Sequence, residues 1–387
     1  MGVLSIASSA RQLMDAAQRE TRIDIDDTAA AERLDRLLHS LNHDAQLSAS
    51  GAAGIEKRLL RLLRNRLRML RDLACHPEIH TQEVVRPLFL TGTARTGSTK
   101  LHKALAASGS FIPLIAWQGH TLSLRTGDRG EDPSPRIRET AADYDWFNNR
   151  VPEAKLAHFY QPLETEEETI VLEHCFYGPF MAALAFVPQY LQWYMTQDPR
   201  SDFEFLKTAL KYLQWQFHDA DRRPWVLKCP GYPGLEPVIA QAFPDAIFAT
   251  TNRHPASAMS SGASLWFLYH RIYSDIDRKL TLGPILLEGM ATGIERQMAI
   301  RDAHPFNVLD IGYTEITRNI EQAVEKIHAH TGLDFPAHAR DAVRIWDSDN
   351  VQNKQGVHQH NLEDFGLSRG GVERRFAAYI ARFRDYF

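Results

Sequence analysis

Residues 88–102 read LFLTGTARTGSTKLH: an apolar run, a glycine-rich turn from Gly92 to Gly97, and small hydroxylated residues that open a helix. A strand that runs into the N-terminus of a helix brings several backbone N–H groups and the positive end of the helix dipole to one point. Such a point binds phosphate or sulfate. The stretch therefore predicts an anion site at the end of a buried strand.

The composition is that of an ordinary globular protein. The chain has 387 residues, with 44 Lys and Arg against 48 Asp and Glu, and a formal net charge of −4. This balance gives no reason to expect nucleic acid or an anionic membrane as a partner. Three cysteines without paired spacing, together with the lack of a long apolar segment, favour a cytoplasmic protein with no disulfide framework and no membrane span.

Apolar periodicity divides the chain into a helical N-terminal extension, residues 1–84, and a larger domain, residues 85–387. In the extension, a repeat from Ile55 to Leu70 predicts a packing helix whose many basic residues form a solvated outer face. From residue 84 onward, short apolar runs alternate with helical stretches, which is typical of an α/β architecture with a parallel sheet. The candidate strands are 84–91, 225–228, 246–251 and 307–311.

Two longer segments have their own character. Residues 165–195 are predicted to form a long helical stretch rich in aromatic side chains, most of them in the core and the rest lining an apolar pocket. Residues 349–371 are polar and contain glycine, so they are predicted to be loop-like, with a lid as one function of that loop.

Two further segments end candidate strands at the same edge of the sheet, where ligands collect. Arg253 follows the strand at 246–251, Pro255 suits the first turn of a helix, and Ser261 lies within that helix. A guanidinium and a hydroxyl can hold a second phosphate. Lys228 closes the strand at 225–228. Together with the glycine-rich turn, these residues predict a ligand with two separated anionic groups.

The spacing of the turn also resembles the P-loop of nucleoside triphosphatases, which leaves a kinase using ATP and Mg²⁺ as an alternative. That motif requires Lys where this chain has Ser98, and Asp310 is the nearest acidic residue for a metal. His358 and His360 are two residues apart but belong to no convincing ligand set, so no metal is expected.

In combination, four segments resemble the sulfotransferases that use 3′-phosphoadenosine 5′-phosphosulfate (PAPS), in the bacterial branch related to carbohydrate sulfotransferases. The segments are ARTGST (94–99), LKCP (227–230), NRHPASAMSS (252–261) and HQHNLEDFGLSRGGVERRFAAYIARF (358–383). The resemblance covers residues 85–387. It implies a P-loop-like three-layer fold and transfer of a sulfuryl group to a hydroxyl or amine of a small molecule or glycan, with 3′-phosphoadenosine 5′-phosphate (PAP) as the other product.

The resemblance also implies roles for individual residues. The 5′-phosphosulfate would be cradled by Arg95, Thr96, Gly97, Ser98 and Thr99, and the 3′-phosphate by Arg253 and Ser261. Arg95 and Lys228 are suited to stabilise the negative charge that grows on the departing phosphate. The segment 353–360 would cover the nucleotide, with Lys354 adding charge and Gly356 permitting close approach of the backbone.

An acceptor hydroxyl needs a base to take its proton. Many sulfotransferases carry a His shortly after the LK-x-P strand, but here that position is Tyr232. The candidates therefore lie in residues 158–176: Glu167 first, His158 second, and His174 as a further option. Thr165 and Glu168 fit a capping box, so part of this acidic cluster is predicted to start a helix. A nucleotide-binding module without a base, and so without activity, is the third alternative.

Overall fold

A parallel sheet of five strands lies at the centre of the protein. The computed structural model describes residues 6–303, 306–350 and 358–387. The strands are β1 (Leu88–Thr91), β2 (Ile112–Pro113), β3 (Trp225–Lys228), β4 (Ile247–Asn252) and β5 (Val308–Gly312). Their order along the sheet is β2-β3-β1-β4-β5. All neighbours pair in parallel, so the carboxyl ends of the strands share one edge.

Helices surround this sheet. Before β1 lie α1 (Ala10–Thr21), α2 (Thr28–His43) and α3 (Ala49–Cys75). Between β1 and β3 lie α4 (Ser98–Ala107), α5 (Ala116–His120), α6 (Ser134–Arg150), α7 (Pro152–Ala157), α8 (Thr169–Leu172), α9 (Gly178–Leu184), α10 (Pro188–Tyr194) and α11 (Arg200–Phe217). After β3 follow α12 (Glu236–Ala242), α13 (Pro255–Tyr273), α14 (Lys279–Ala303), α15 (Tyr313–Arg318), α16 (Ile320–Thr331), α17 (Ala337–Asp349), α18 (Arg369–Arg375) and α19 (Ala377–Phe383).

The sheet is the middle of three layers, as predicted. Successive side chains of a strand point to opposite faces. On β1, Leu88 and Leu90 belong to a buried cluster with residues of α4, α16 and α17, whereas Phe89 belongs to a second cluster with residues of α11 and α12. Helices therefore cover both faces, which explains why β1 and β3 are buried throughout.

Helix α3 joins the N-terminal region to the rest of the core. The first four positions of the predicted repeat, Ile55, Leu59, Leu63 and Leu67, are buried, whereas Leu70 is half-buried. The expectation of a solvated basic face is wrong for Arg58 and Arg61, which form ion pairs with the buried carboxylate of Glu173. These cations exchange water for a carboxylate partner inside the protein. The division of the chain at residue 84 stays a prediction.

The predicted long helix over 165–195 is wrong. The segment holds the short helices α8, α9 and α10 and a 3₁₀ turn at Glu173–Cys175. Pro179 and Pro188 each lie in the first turn of a new helix, and Phe176 adopts a left-handed φ of 56°. The capping box is also wrong, because α8 begins at Thr169 without a side-chain cap and Glu168 points into the core.

The remaining elements agree with the sequence except at their ends. Strand β1 begins at Leu88 rather than at residue 84, and the two-residue β2 was not anticipated. The predicted loop at 349–371 contains a 3₁₀ turn at Glu363–Phe365 and the start of α18, while Lys354 and Gly356 lie outside the described residues. Within the described ranges, no helix combines the length and apolar character needed to cross a bilayer.

Candidate active site

The turn between β1 and α4 has the geometry of an anion cradle. Gly92 and Gly97 adopt left-handed φ angles of 120° and 87°. A Cβ atom on Gly92 would lie 2.7 Å from the carbonyl oxygen of Thr251, so no other residue fits there without displacement. Helix α4 begins directly after Gly97, and its first N–H groups have no acceptor within the helix. These groups converge on the turn together with the helix dipole.

Side-chain hydrogen bonds hold this turn against β4. Arg95 has a left-handed φ of 70°, and Arg253 Nη1 donates to its carbonyl oxygen at 2.7 Å. Thr96 Oγ1 donates to the carbonyl oxygen of Thr93 at 2.8 Å and lies 2.6 Å from Thr251 Oγ1. The hydroxyl of Thr96 is thus used within the turn, which leaves its backbone N–H as the group that could contact a ligand.

The residues predicted to form the second anion site lie beside the turn. Arg95 Nε donates to Ser261 Oγ at 2.9 Å, and its Nη1 donates to the carbonyl oxygen of Ala157 at 3.2 Å. The guanidinium carbon of Arg253 lies 3.9 Å from the centre of the Tyr313 ring. The structure thus brings Arg95, Arg253 and Ser261 together. Tyr313, the first residue after β5, was missed because nothing in its local sequence indicates the contact.

Burial lowers the pKa of both arginines, Arg95 and Arg253. At Arg95, the nearby Arg253 adds to this effect. Desolvation and like charge both disfavour a cation, and a bound anion relieves both. A pair of half-buried guanidinium groups beside a helix N-terminus is therefore an environment that favours a ligand with negative charge.

Lys228 lies at the carboxyl end of β3, and both its ammonium group and its backbone N–H have partners. Its side chain is 3 % exposed, and its ammonium group donates to Thr99 Oγ1 at 3.2 Å and forms an ion pair with Glu167. Its backbone N–H donates to the carboxylate of Glu168 at 2.7 Å. Lys228 therefore lies between the first turn of α4 and the predicted base Glu167.

A second acid–base pair adjoins the first. His158 Nε2 lies 3.0 Å from Glu166 Oε2. Burial alone would raise the pKa of Glu166, but His158 and Lys228 lower it to about 2. The carboxylate of Glu166 is thus anionic, and its contact with Nε2 orients the His158 ring. Sequence analysis missed Glu166, whose one signal was its place in a run of three glutamates.

Glu168 supports this site from inside the core. Its side chain is fully buried and accepts hydrogen bonds from the backbone N–H of Lys228 and from the hydroxyl of Tyr232. Burial raises the pKa of Glu168 to about 7. Tyr232, in the position where related sequences often have His, is therefore a buried partner of Glu168 and supplies no base.

His174 and Asp310 lie outside this arrangement. His174 is fully buried, its Nδ1 lies 3.1 Å from the carbonyl oxygen of Val171, and burial lowers its pKa to about 3. It packs in the core and is not brought to Lys228. Asp310, the metal ligand of the kinase hypothesis, forms an ion pair with Arg301 at 2.6 Å.

The two C-terminal histidines contact helix α13. His358 Nε2 lies 2.9 Å from Ser264 Oγ, and His360 Nδ1 lies 2.8 Å from Ser260 Oγ. These contacts use a ring nitrogen of each histidine for a serine hydroxyl. Over the described part of the chain, no group of three or more His, Cys, Asp or Glu side chains is arranged to hold a metal ion.

A parallel sheet whose strand ends supply an amide-lined turn and several cations defines a P-loop-like group transferase. The family model described as the Sulfotransferase family matches residues 87–337, and the chain belongs to this family. It is an enzyme that transfers sulfuryl groups. The kinase and the inactive binding module, both left open by the sequence, are not supported by this membership.

Solved structures agree in fold. Sulfotransferase STF9 from Mycobacterium avium has a TM-score of 0.83 at 21% identity and covers 98% of this chain and 98% of its own. Sulfotransferase STF1 from Mycobacterium tuberculosis H37Rv has a TM-score of 0.79 at 24% identity and covers 97% of this chain and 100% of its own. Comparison with curated proteins gives no match.

Proposed function

We propose that this enzyme moves a sulfuryl group from PAPS to a hydroxyl group of a small molecule or glycan. One observation carries the proposal: the side chain of Arg95 links the amide-lined turn to Ser261, and its carbonyl oxygen accepts from Arg253. The two predicted anion sites thus form one continuous cationic surface. An adenosine compound with phosphates on both sides of its ribose matches such a surface.

The residues present fit this donor. The backbone N–H groups of the turn and of the first turn of α4 would hold the 5′-phosphosulfate, with Ser98 and Thr99 at the start of the helix. The guanidinium of Arg253 and the hydroxyl of Ser261 would hold the 3′-phosphate. The donor, when bound, supplies an activated sulfuryl group.

Lys228 and Glu167 would then share the chemical step. Lys228 Nζ stabilises the negative charge on the phosphate oxygen as the bond from sulfur to that oxygen breaks. Glu167 takes the proton of the acceptor hydroxyl as the new oxygen–sulfur bond forms. Their ion pair holds the two groups together, and Lys228 also contacts Thr99. PAP leaves with the electron pair of the broken bond.

His158 is the second candidate for the base, because Glu166 contacts its Nε2 and orients the ring, as a carboxylate does in acid–base triads. The kcat values of single variants separate the two candidates. We expect Glu167→Gln to lower kcat by about 10²- to 10⁴-fold and His158→Asn by less than about tenfold. The matched control is Glu164→Gln, which removes an exposed carboxylate paired with Lys103. The reverse order would assign the proton transfer to His158.

Calorimetry tests the donor. Without metal, the enzyme should bind PAP more tightly than adenosine 5′-monophosphate, and Arg253→Ala should reduce this preference by about 10- to 100-fold, as expected for a charged hydrogen bond of about 1.5–3 kcal/mol. Arg200→Ala, on the exposed start of α11, is the control. An unchanged preference would remove Arg253 from the 3′-phosphate site, and magnesium-dependent ATP binding with indifference to PAP would contradict the proposal.

We also propose that residues 353–360 cover the nucleotide and that Lys354 and Gly356 contact it. The support lies at the described end of this segment, where His360 contacts Ser260, the neighbour of Ser261. Burial, with Arg95 and Arg253 nearby, lowers the pKa of His360. The described end of the segment thus lies near both cations, where a cover would limit hydrolysis of the donor by water.

A cytoplasmic location is part of the proposal. All three cysteines are free, and Cys75 is exposed at the end of α3. Free thiols persist in a reducing compartment. Fractionation of the native host, with the protein detected by antibody, tests this location.

A further inference from the structure

A cavity of about 480 Å³ lies between helices α3 and α6. Aromatic rings form much of its wall, and Ile170 of α8, which begins directly after the three glutamates, adds an aliphatic side chain. The rings are those of Tyr144, Trp146, Phe147, Tyr160, Phe180 and Tyr273. None of the described residues of the donor site lines this space, and its volume suits a small organic molecule.

The three cations of the wall share two carboxylate partners, Asp143 in the wall and the buried Glu173. Lys57 Nζ lies 2.6 Å from Asp143 Oδ1, and Arg58 forms an ion pair with Glu173. Arg61 contacts Asp143 at 3.7 Å and Glu173 at 3.4 Å. Since each cation already has a carboxylate partner, the wall offers little to compensate the desolvation of an ionised ligand.

Tyr144 contributes a hydroxyl group without a hydrogen-bond partner in the described part of the protein. The hydroxyl oxygen is buried, and the residue is only 6% exposed. Tyr144 lines the cavity, and an unpaired buried hydroxyl costs free energy that a hydrogen bond to a ligand would recover. The Tyr144 ring lies 5.2 Å from that of Tyr160, which lies 4.3 Å from the imidazole of His158. This end of the cavity is therefore one ring away from the acid–base groups.

We propose that the cavity is the acceptor site and that the acceptor is an uncharged phenol or other aromatic alcohol. This inference rests on the function proposed above. The rings of the wall would pack against the acceptor ring, and the Tyr144 hydroxyl would contact its oxygen on the side toward His158. A sugar would bring many hydroxyl groups into a wall whose buried unpaired polar atoms, among the described residues, are the Tyr144 hydroxyl and Arg61 Nε, and each unmatched group would be penalised.

Filling the mouth of the cavity tests its location. Ala53 on α3 and Ala142 on α6 are exposed and line the opening, so Ala53→Trp and Ala142→Trp would narrow it without entering the core. Ala74→Trp, exposed on the same α3 but outside the cavity, is the control. We expect calorimetric binding of 2-naphthol to the PAP-loaded enzyme to weaken at least tenfold in the first two variants, with PAP binding unchanged.

The outcomes separate this inference from the proposed function. If PAP binds as expected but 2-naphthol does not bind the wild type, or binds the two mouth variants as well as it binds the wild type, the acceptor site is wrong and the donor assignment stands. If PAP does not bind, the proposed function itself fails. Sulfuryl transfer to maltose in preference to 2-naphthol would overturn the acceptor class.

A conservative variant tests the hydroxyl. Tyr144→Phe removes one unpaired polar atom, so the melting temperature should stay the same or rise. The affinity for 2-naphthol should nevertheless fall by about three- to tenfold, the effect of one neutral hydrogen bond. A purely structural tyrosine would leave that affinity unchanged, and this result would contradict the assignment.

Discussion

Glu168→Gln should make the protein more stable at alkaline pH and leave it nearly unchanged at acidic pH. The carboxyl group of Glu168 is fully buried between Tyr232 and the backbone N–H of Lys228. Burial raises its pKa from 4.5 to about 7 in the folded protein. Glutamine has nearly the same shape, keeps an oxygen for the Lys228 N–H and carries no charge at any pH.

The sign and size follow from the two pKa values. Between pH 4.5 and 7 the folded protein holds a proton that the unfolded chain has lost, so the free energy of unfolding decreases as the pH rises. Above pH 7 the carboxylate is ionised in both states, and the folded state bears the full desolvation. The gap of about 2.5 pH units corresponds to about 3 kcal/mol.

Urea denaturation followed by tryptophan fluorescence, at pH 5 and pH 8, measures this effect. The stability of Glu168→Gln relative to the wild type should rise by about 2–3 kcal/mol between the two pH values. Glu204→Gln, which changes an exposed carboxylate on α11, should show no such rise. An equal difference between Glu168→Gln and the wild type at both pH values would refute the argument.

Two other substitutions test the fold and the turn. Glu173→Gln removes the negative charge that compensates the buried cations of Arg58 and Arg61. The free energy of unfolding should therefore fall by about 3–5 kcal/mol in the same urea assay. A change below about 1 kcal/mol would mean that water already reaches these charges. Gly97→Ala forces a left-handed φ of 87° on alanine and places its Cβ 3.2 Å from Tyr313. The free energy of unfolding should therefore fall by about 1–2 kcal/mol, and PAP binding measured by calorimetry should weaken. An affinity for PAP equal to that of the wild type would contradict the role of the turn.

The glycine-rich turn and the cations near it could be predicted from the sequence, because their positions follow from where the strands end along the chain. Arg95, Lys228 and Arg253 each follow an apolar run, and the carboxyl ends of parallel strands meet at one edge. The turn could be identified because Gly92 and Gly97 have the conformational freedom that it needs. This part of the site could be predicted because it depends on residues that are neighbours in the sequence.

The partners of these residues could not be predicted, since they depend on packing between distant segments. Glu166 meets His158, and Glu168 meets Tyr232 64 residues further along the chain. The stacking of Arg253 on Tyr313 also joins the ends of two different strands. Strand β2 escaped detection for a simpler reason: two residues are too short to show an alternating pattern.

The wrong prediction of one helix over 165–195 has a different cause, because the sequence does contain residues that indicate separate helices. Pro179 and Pro188 mark the first turns of separate helices, and proline at such positions is common. The abundance of aromatic residues indicated burial correctly, but it carried no information about continuity.

The counter-ions that the first helices contribute have a practical consequence for anyone who shortens this protein. Helix α2 supplies Arg33 to the buried Asp202, and α3 supplies Arg58 and Arg61 to Glu173. A fragment cut just upstream of the first strand would keep both carboxylates inside but lose their cations, and it would also open one flank of the cavity. Trimming for crystallisation or surface immobilisation therefore has to stop ahead of α2.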